Sequence, residues 1–356
     1  MKYIFYFLLF SIPCNAQQTL LSPDKKIKIS IAFSPEINYH VSYEGKEIIA
    51  LSVIDMILGD GTHLSQIKGI RKITTRSNNT VIVSPVPEKR INIPDIFNEI
   101  KIEFKSAFTL TFRAYNDGVA YRIGSMIKDS IIVKNEIAQF NFPPADILYS
   151  QVQGGRADRF HTSFEETYAT IRLDSLTEAS LIFNPAVILP ATGPKIAINE
   201  SDVDNYPGMF LSGTSSNRLT ATFAPYPKTE KAVMADYSQV VVTEREDFIA
   251  KTNGTRNFPW RILMIASHDK DLPENDIVYR LAATSILKDH SWIRPAQSTD
   301  EWIITENLFN VDFKTGINTS TYKYYIDFAA KFGIESVMMD AGWSDNNDLF
   351  KITPGI

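Results

Sequence analysis

From Gln18 to about Asp271 the chain alternates apolar and polar residues in short runs, and residues that turn a backbone stand between the runs. Examples of the runs are Ile27-Lys28-Ile29-Ser30-Ile31, Tyr39-His40-Val41-Ser42-Tyr43, Val81-Ile82-Val83, Ile100-Lys101-Ile102-Glu103-Phe104 and Leu110-Thr111-Phe112-Arg113-Ala114-Tyr115. Pro23-Asp24, Glu44-Gly45, Gly59-Asp60-Gly61 and Asn116-Asp117-Gly118 separate them. A period of two buries one side of a strand and leaves the other in water, so this punctuation predicts antiparallel sheets and excludes a helical fold. Ala179 to Phe183, Leu219 to Phe223, Gln239 to Thr243 and Trp260 to Ala266 read as later strands. That is more than a seven-stranded sandwich uses, so residues 17–271 are expected to form a large double-sheet sandwich.

The pattern changes near Asn275. Asp276 to Lys288 spaces Ile277, Tyr279, Leu281 and Ile286 as a helix would, and 272–297 reads as a helical linker. After it the order is strand, helix, strand. Trp302-Ile303-Ile304 is a short apolar run. Thr319 or Ser320 is placed to cap a helix with the stripe Tyr322, Tyr325, Ile326, Ala329 and Phe332, and Gly333 closes it. Ser336-Val337-Met338-Met339 then reads as a fully apolar strand ending at Asp340. Strand–helix–strand in this order implies a parallel pair with a right-handed crossover. One such unit leaves apolar faces uncovered, and a whole (β/α)8 barrel takes about 250 residues. Residues 298–356 are therefore expected to be the first part of a barrel, truncated.

Residues 1–16 begin Met-Lys, continue with the apolar run Tyr3 to Ile12, and end Pro13-Cys14-Asn15-Ala16. A basic start, a run too short to span a bilayer and small residues before a cut after Ala16 describe a secretory signal peptide. Cys14 is the chain's one cysteine, so the mature protein is expected to have neither disulfides nor thiolate chemistry. No later segment has the apolar length of a membrane helix. The net charge is 36 − 41 = −5, which gives no basic surface for a phosphate backbone and argues against nucleic acid as a partner.

Two stretches have residues suited to chemistry. Asp340-Ala341-Gly342-Trp343 puts a carboxylate at the C-terminal end of a parallel strand, where barrel enzymes build their sites, and an aromatic ring just beyond it. The alternative is that Asp340 caps a turn while Trp343 packs. His161, Glu165, Glu166 and Tyr168 lie in a Gly-, Arg- and Asp-rich loop whose oxygens suit a hard cation, although a solvated acidic turn has the same composition. The histidines show no zinc-ligand spacing, and there is no glycine-rich phosphate loop.

Taken in order, several segments resemble glycoside hydrolase family 97. They are Ser22-Pro23-Asp24-Lys25 with Tyr39 to Lys46, the run Phe112-Arg113-Ala114-Tyr115-Asn116-Asp117-Gly118-Val119-Ala120-Tyr121-Arg122, Phe164-Glu165-Glu166-Thr167-Tyr168, Tyr206-Pro207-Gly208-Met209, Phe258-Pro259-Trp260-Arg261, Trp292-Ile293-Arg294-Pro295, and Gly316 through Trp343. The resemblance implies an N-terminal β-super-sandwich, a linking helical region and a catalytic (β/α)8 TIM barrel. It also implies an active-site calcium ligated by a glutamate from the sandwich. The Glu-x-x-Tyr pattern puts that residue at Glu165, with Glu166 as the other register. The family's inverting branch tends to have a glutamate before Gly-Trp at the end of the second barrel strand. Asp340-Ala341-Gly342-Trp343 looks more like the retaining, α-galactosidase-type branch. At Trp302-Ile303-Ile304 the chain departs from the Trp-rich first strand of many relatives.

The expectation is thus a mainly β chain forming the N-terminal portion of an exported, calcium-dependent exo-acting α-glycosidase, periplasmic, acting on oligosaccharides with terminal α-linked galactose or glucose. Its catalytic carboxylates are expected beyond Ile356, with Asp340 and Trp343 touching substrate and Glu165 on the metal. The alternative is a non-catalytic carbohydrate-binding or structural β-sandwich module.

Overall fold

The computed structural model describes residues 17–66, 69–86, 89–144, 146–154, 158–234 and 238–356; the signal-peptide segment 1–16, with Cys14, lies outside the described residues. Alternation forms the strands as anticipated, with one refinement. In the strand Asn92–Phe104 the buried positions run Ile93, Asp95, Phe97 and Glu99, and then Ile100, Ile102 and Phe104. The buried face therefore switches between Glu99 and Ile100. Phe97 enters a small outer cluster with Tyr115, Trp260 and Ile262, whereas Ile100, Ile102 and Phe104 enter the main core.

The strand Gly118–Asn141 organises the sheets. Its first half pairs with Phe108–Tyr115 on one side and with Trp260–Ala266 on the other. Further along it pairs with Ala250–Asn257, Lys46–Leu58 and Arg218–Thr222. Pairing continues from Trp260–Ala266 through Lys195–Ser201 and Ala186–Leu189 to Ile147–Gln153. A second series runs from Arg218–Thr222 through Phe210–Gly213 and Leu181–Ile182 to that same strand Ile147–Gln153. Two antiparallel series are thus joined at both ends, and their inward residues form one apolar core. The fold is mainly β with few helices.

Two glycine-bearing turns show why the sequence folds this way. Glu44 and Gly45 have φ of 47° and 84° and connect the strands Asn38–Tyr43 and Lys46–Leu58, with Tyr43 paired to Lys46. Both central residues are left-handed, as a two-residue hairpin turn requires. In Asn116-Asp117-Gly118 the first two residues turn and the glycine serves proximity, since a Cβ on Gly118 would lie 2.6 Å from the Leu263 carbonyl. That clearance lets helix α1 (Ile277–Leu281) cover the outer cluster, where Ile277 and Leu281 are buried. Asn275 Nδ2 donates to the Asp117 carbonyl at 2.8 Å, and Arg280 Nη1 donates to Asp117 Oδ1 at 2.8 Å.

The linker is less helical than its spacing predicts. Helix α1 has five residues and ends where Ala282 turns extended (φ −62°, ψ 148°). Ile286, the expected end of its apolar stripe, is 95% exposed, so no burial extends the helix.

The chain forms two compact units: the first comprises residues through Ile82, Ile93–Pro227 and Arg245–Thr284, and the second Val83–Asn92, Lys228–Glu244 and Ser285–Ile356. In the second unit, Ser298–Asp300 and Ser336–Met338 form the parallel pair, and helix α2 (Thr319–Phe332) connects them. The expected strand Trp302–Ile304 is instead a 3₁₀ turn. Asp300 Oδ1 accepts from the Trp302 N–H at 3.1 Å, and this side-chain turn ends the strand before the apolar triad. The cap of α2 is Asn318 rather than Thr319 or Ser320; its side chain accepts from the Thr321 N–H at 3.0 Å. Gly333 closes the helix at φ 71°, as expected. Tyr322, Tyr325 and Ala329 are buried, whereas Ile326 and Phe332 are exposed among the described residues.

Candidate functional site

The expected metal-ligating loop connects two paired strands, Ile147–Gln153 and Tyr168–Arg172. An aromatic cluster fixes it: Phe164 packs on Phe183 and Phe210 at centroid distances of 4.8 and 5.8 Å, and Phe160 on Phe210 at 5.7 Å. To reach this cluster Phe164 takes φ 63°, a conformation that a bulky residue adopts only when its surroundings impose it. Gln151 Nε2 donates to the carbonyls of Phe164 at 3.1 Å and Glu166 at 2.5 Å. Arg245 donates to Asp158 Oδ2 at 2.9 Å. Burial pushes the Asp158 carboxyl up, but the Arg245 guanidinium outweighs it and holds the group below the usual range.

These restraints leave Glu165 exposed, with no hydrogen-bond or ion-pair partner among the described residues. Glu166 is half-buried, and Tyr168 stacks on Tyr149 at 5.1 Å. A fixed loop with one uncommitted carboxylate fits a single oxygen ligand of a hard cation. Among the described residues, no group of three or more His, Cys, Asp or Glu is arranged to hold a metal. A complete coordination shell is therefore not assembled by them.

The second cluster lies at the C-terminal ends of the parallel pair, in the second unit. Asp340 is half-buried; its Oδ1 accepts from the Ala341 N–H at 2.5 Å, and its other oxygen is uncommitted among the described residues. Trp343 is half-buried on the turn that follows. That turn needs Gly342, which has φ 108° and would bring a Cβ within 2.4 Å of Ile317 Cδ1. Beneath Asp340 is a residue that the sequence reading passed over. Glu301 is 1% exposed, and its Oε1 accepts from the Asp340 N–H at 2.7 Å and from the Tyr322 hydroxyl at 3.3 Å. Its Oε2 is buried without a partner among the described residues, as is the Tyr325 hydroxyl. Burial, and then the charges of Glu301 and Asp340, raise the Glu306 carboxyl. Burial and Glu301 push the Tyr322 hydroxyl up to about 12. This is a negative strand end that favours hydrogen-bond donors, such as sugar hydroxyls, over acceptors.

Most of the other motif residues build the sandwich. The guanidiniums of Arg113 and Arg122 both lie over the Trp260 ring, 4.9 and 4.3 Å from its centroid. Arg261 is buried; its Nε and Nη2 donate to Glu136 Oε1 and Oε2 at 2.6 and 2.8 Å, and its Nη1 to Glu200 Oε2 at 2.6 Å. The Tyr206 hydroxyl donates to Glu136 Oε2 at 3.0 Å, and the Met209 N–H to Glu200 Oε1 at 2.8 Å. The segments Tyr206–Met209 and Phe258–Arg261 are thus two sides of one buried ion network.

Comparison with known proteins agrees with this arrangement. A family model described as Glycosyl-hydrolase 97 N-terminal matches residues 20–283, and one described as Glycoside hydrolase 97 matches residues 301–356. The chain belongs to glycoside hydrolase family 97. It is 38% identical over 342 residues to the retaining alpha-galactosidase of Bacteroides thetaiotaomicron, an alignment covering 94% of this chain and 52% of that protein. The chain therefore spans about half the length of that curated relative. Its fold is shared with a family 97 enzyme from Pseudoalteromonas sp. strain K8 solved with acarbose (TM-score 0.78, 24% identity, 95% of this chain and 51% of that one). It is also shared with a beta-arabinopyranosidase (TM-score 0.74, 21% identity, 90% and 50%). At these identities the two structures establish the fold alone.

The three residues singled out from the sequence divide between the two units of this family 97 chain. Glu165 stands in the first, while Asp340 and Trp343 stand close together in the second. Glu301 was missed because Asp300-Glu301 reads as the polar lead-in to an apolar triad. The one available signal was an acidic pair at the end of the strand Ser298–Asp300.

Proposed function

We propose that this chain is the N-terminal portion of an exported, calcium-dependent exo-acting α-glycosidase that removes terminal α-linked galactose or glucose from oligosaccharides in the periplasm. The observation that carries the reading is the half-buried Asp340 at the C-terminal end of a parallel strand, with one oxygen bonded to its own turn and the other free for a sugar hydroxyl. Barrel enzymes gather their catalytic groups on that face. The name of the 38% identical relative, a retaining alpha-galactosidase, supports galactose as the preferred sugar.

In this reading the remaining barrel strands, and with them the two carboxylates that act on the glycosidic bond, lie beyond Ile356. Their separation decides whether water or the protein attacks the anomeric carbon. Asp340 orients a ring hydroxyl and Trp343 supplies an apolar face for the ring. Glu165 would be the sandwich's ligand to calcium, which when bound would supply a fixed positive charge that holds and orients sugar hydroxyls.

The test is a panel of aryl α- and β-glycosides given to the product of the complete gene. Release from the α-galactoside, or the α-glucoside, and not from the β-glycosides is the expected result. A protein that binds these sugars yet cleaves none would be the non-catalytic module instead.

A further inference from the structure

We infer that Glu301 is a positioning residue of the sugar-binding end of the barrel, and that it sets the direction of Asp340 through the Asp340 main-chain N–H. The inference rests on the glycosidase reading and adds to it a residue that neither spacing nor comparison assigns.

The geometry is specific. Glu301 directly follows the first strand of the parallel pair, Asp340 closely follows the second, and Tyr322 is on the helix between them. One carboxylate oxygen, Oε1, takes the Asp340 N–H at 2.7 Å and the Tyr322 hydroxyl at 3.3 Å. All three segments of the strand–helix–strand unit are thus tied to a single atom. With its main-chain N–H held by Glu301 and its Oδ1 held by the Ala341 N–H at 2.5 Å, Asp340 has its remaining oxygen presented in one direction.

A purely structural account fits poorly. A strand end needs an acceptor for one N–H, and a backbone carbonyl or a neutral amide would serve. Here a carboxylate is 1% exposed, with Oε2 unpartnered, beside Glu306 and Asp340. Burying a carboxyl group with one oxygen unpaired, beside two other carboxyl groups, opposes folding. Such an arrangement is characteristic of a functional site, where a short charge-assisted bond orients a group more firmly than a neutral one.

The test uses the product of the complete gene, with methyl α-D-galactopyranoside and methyl α-D-glucopyranoside as probes. Affinity is measured by titration, and the Asp340 amide proton is followed by NMR. Glu301→Ala is expected to weaken binding of the preferred glycoside by about tenfold or more, the loss of a hydrogen bond to a charged group, and to move the Asp340 amide upfield. Glu301→Gln keeps an acceptor and loses the charge, so both changes should be intermediate. It also keeps the question decidable should the alanine variant fail to fold. Tyr322→Phe removes only the longer bond and should alter neither readout much. An Asp340 amide that stays in place in both Glu301 variants overturns the inference. So does affinity retained in Glu301→Ala but lost in Asp340→Ala. Wild-type protein that binds neither glycoside would overturn the proposed function itself and this inference with it.

Discussion

Replacing Arg261 by leucine should expose the largest single electrostatic dependence of the sandwich. The guanidinium is 1% exposed and donates three bonds of 2.6 to 2.8 Å to Glu136 and Glu200. Burial pulls its pKa down, but Glu136 and then Glu200 more than compensate, so it stays charged. Bonds to charged groups are each worth about 1.5–3 kcal/mol, so adding them would give roughly 4.5–9 kcal/mol. The true loss is smaller, because an orphaned carboxylate can take a proton instead of staying charged. Breaking a buried pair typically costs about 3–5 kcal/mol, and we expect about 4 kcal/mol at pH 7.

The proton gives this argument its signature. Burial already holds the Glu200 carboxyl above its usual range against the pull of Arg261, so losing the guanidinium raises it further above its unfolded value. The carboxyl's contribution is therefore most favourable at low pH and is lost as pH rises through the folded value. With one extra proton in the folded state, the deficit relative to wild type shrinks by about 1.4 kcal/mol per unit of pH lowered. From pH 7 to pH 5 it should fall from about 4 to roughly 1.5 kcal/mol. Urea unfolding of both proteins across that range, followed by fluorescence, measures it. A deficit below about 1 kcal/mol at pH 7, or one flat with pH, would refute the reasoning.

Three further outcomes are expected. Burial pushes the Asp146 carboxyl from 3.8 to about 6, so its ionised form opposes folding by about 3 kcal/mol at neutral pH. Asp146→Asn should therefore gain up to that amount at pH 7, with the gain fading between pH 6 and pH 4; equal stability of the two proteins at pH 7 would contradict it. Gly118→Ala places a methyl 2.6 Å from the Leu263 carbonyl and 3.0 Å from Ile277 Cδ1. A loss of about 1–3 kcal/mol, with faster hydrogen exchange in helix α1, should follow. Asp117→Ala removes the partner of Arg280 and the same helix should exchange faster, while the core strand Trp260–Ala266 keeps its protection.

Legibility followed the range of the interactions. Trp260 to Ala266 was readable to the residue, because a run that is apolar except at Arg261 has both faces buried, one in the main core and one under helix α1. Asp340 was readable because the apolar run before it stops there. The linker helix was overread since the spacing of Ile286 looks helical, but no surface is present to bury it. The first strand of the parallel pair was displaced from Trp302–Ile304 to Ser298–Asp300 by a side-chain turn that three residues of pattern do not reveal. Glu136 and Glu200 stand 125 and 61 residues from Arg261. No local spacing connects them, and only the folded sheets bring them together. Glu301 meets Asp340 in the same way, across 39 residues.

The central claim is the proposal that Glu165 serves as a calcium ligand of a glycosidase. It is tested most directly by the rate at which the complete gene product releases galactose from an aryl α-galactoside, after chelation and then during calcium back-titration. The account predicts that chelation stops release, that calcium restores it, and that Glu165→Ala shifts the calcium requirement upward by about tenfold or more. Release that is indifferent to chelation, or a Glu165→Ala protein with an unchanged calcium requirement, would contradict it.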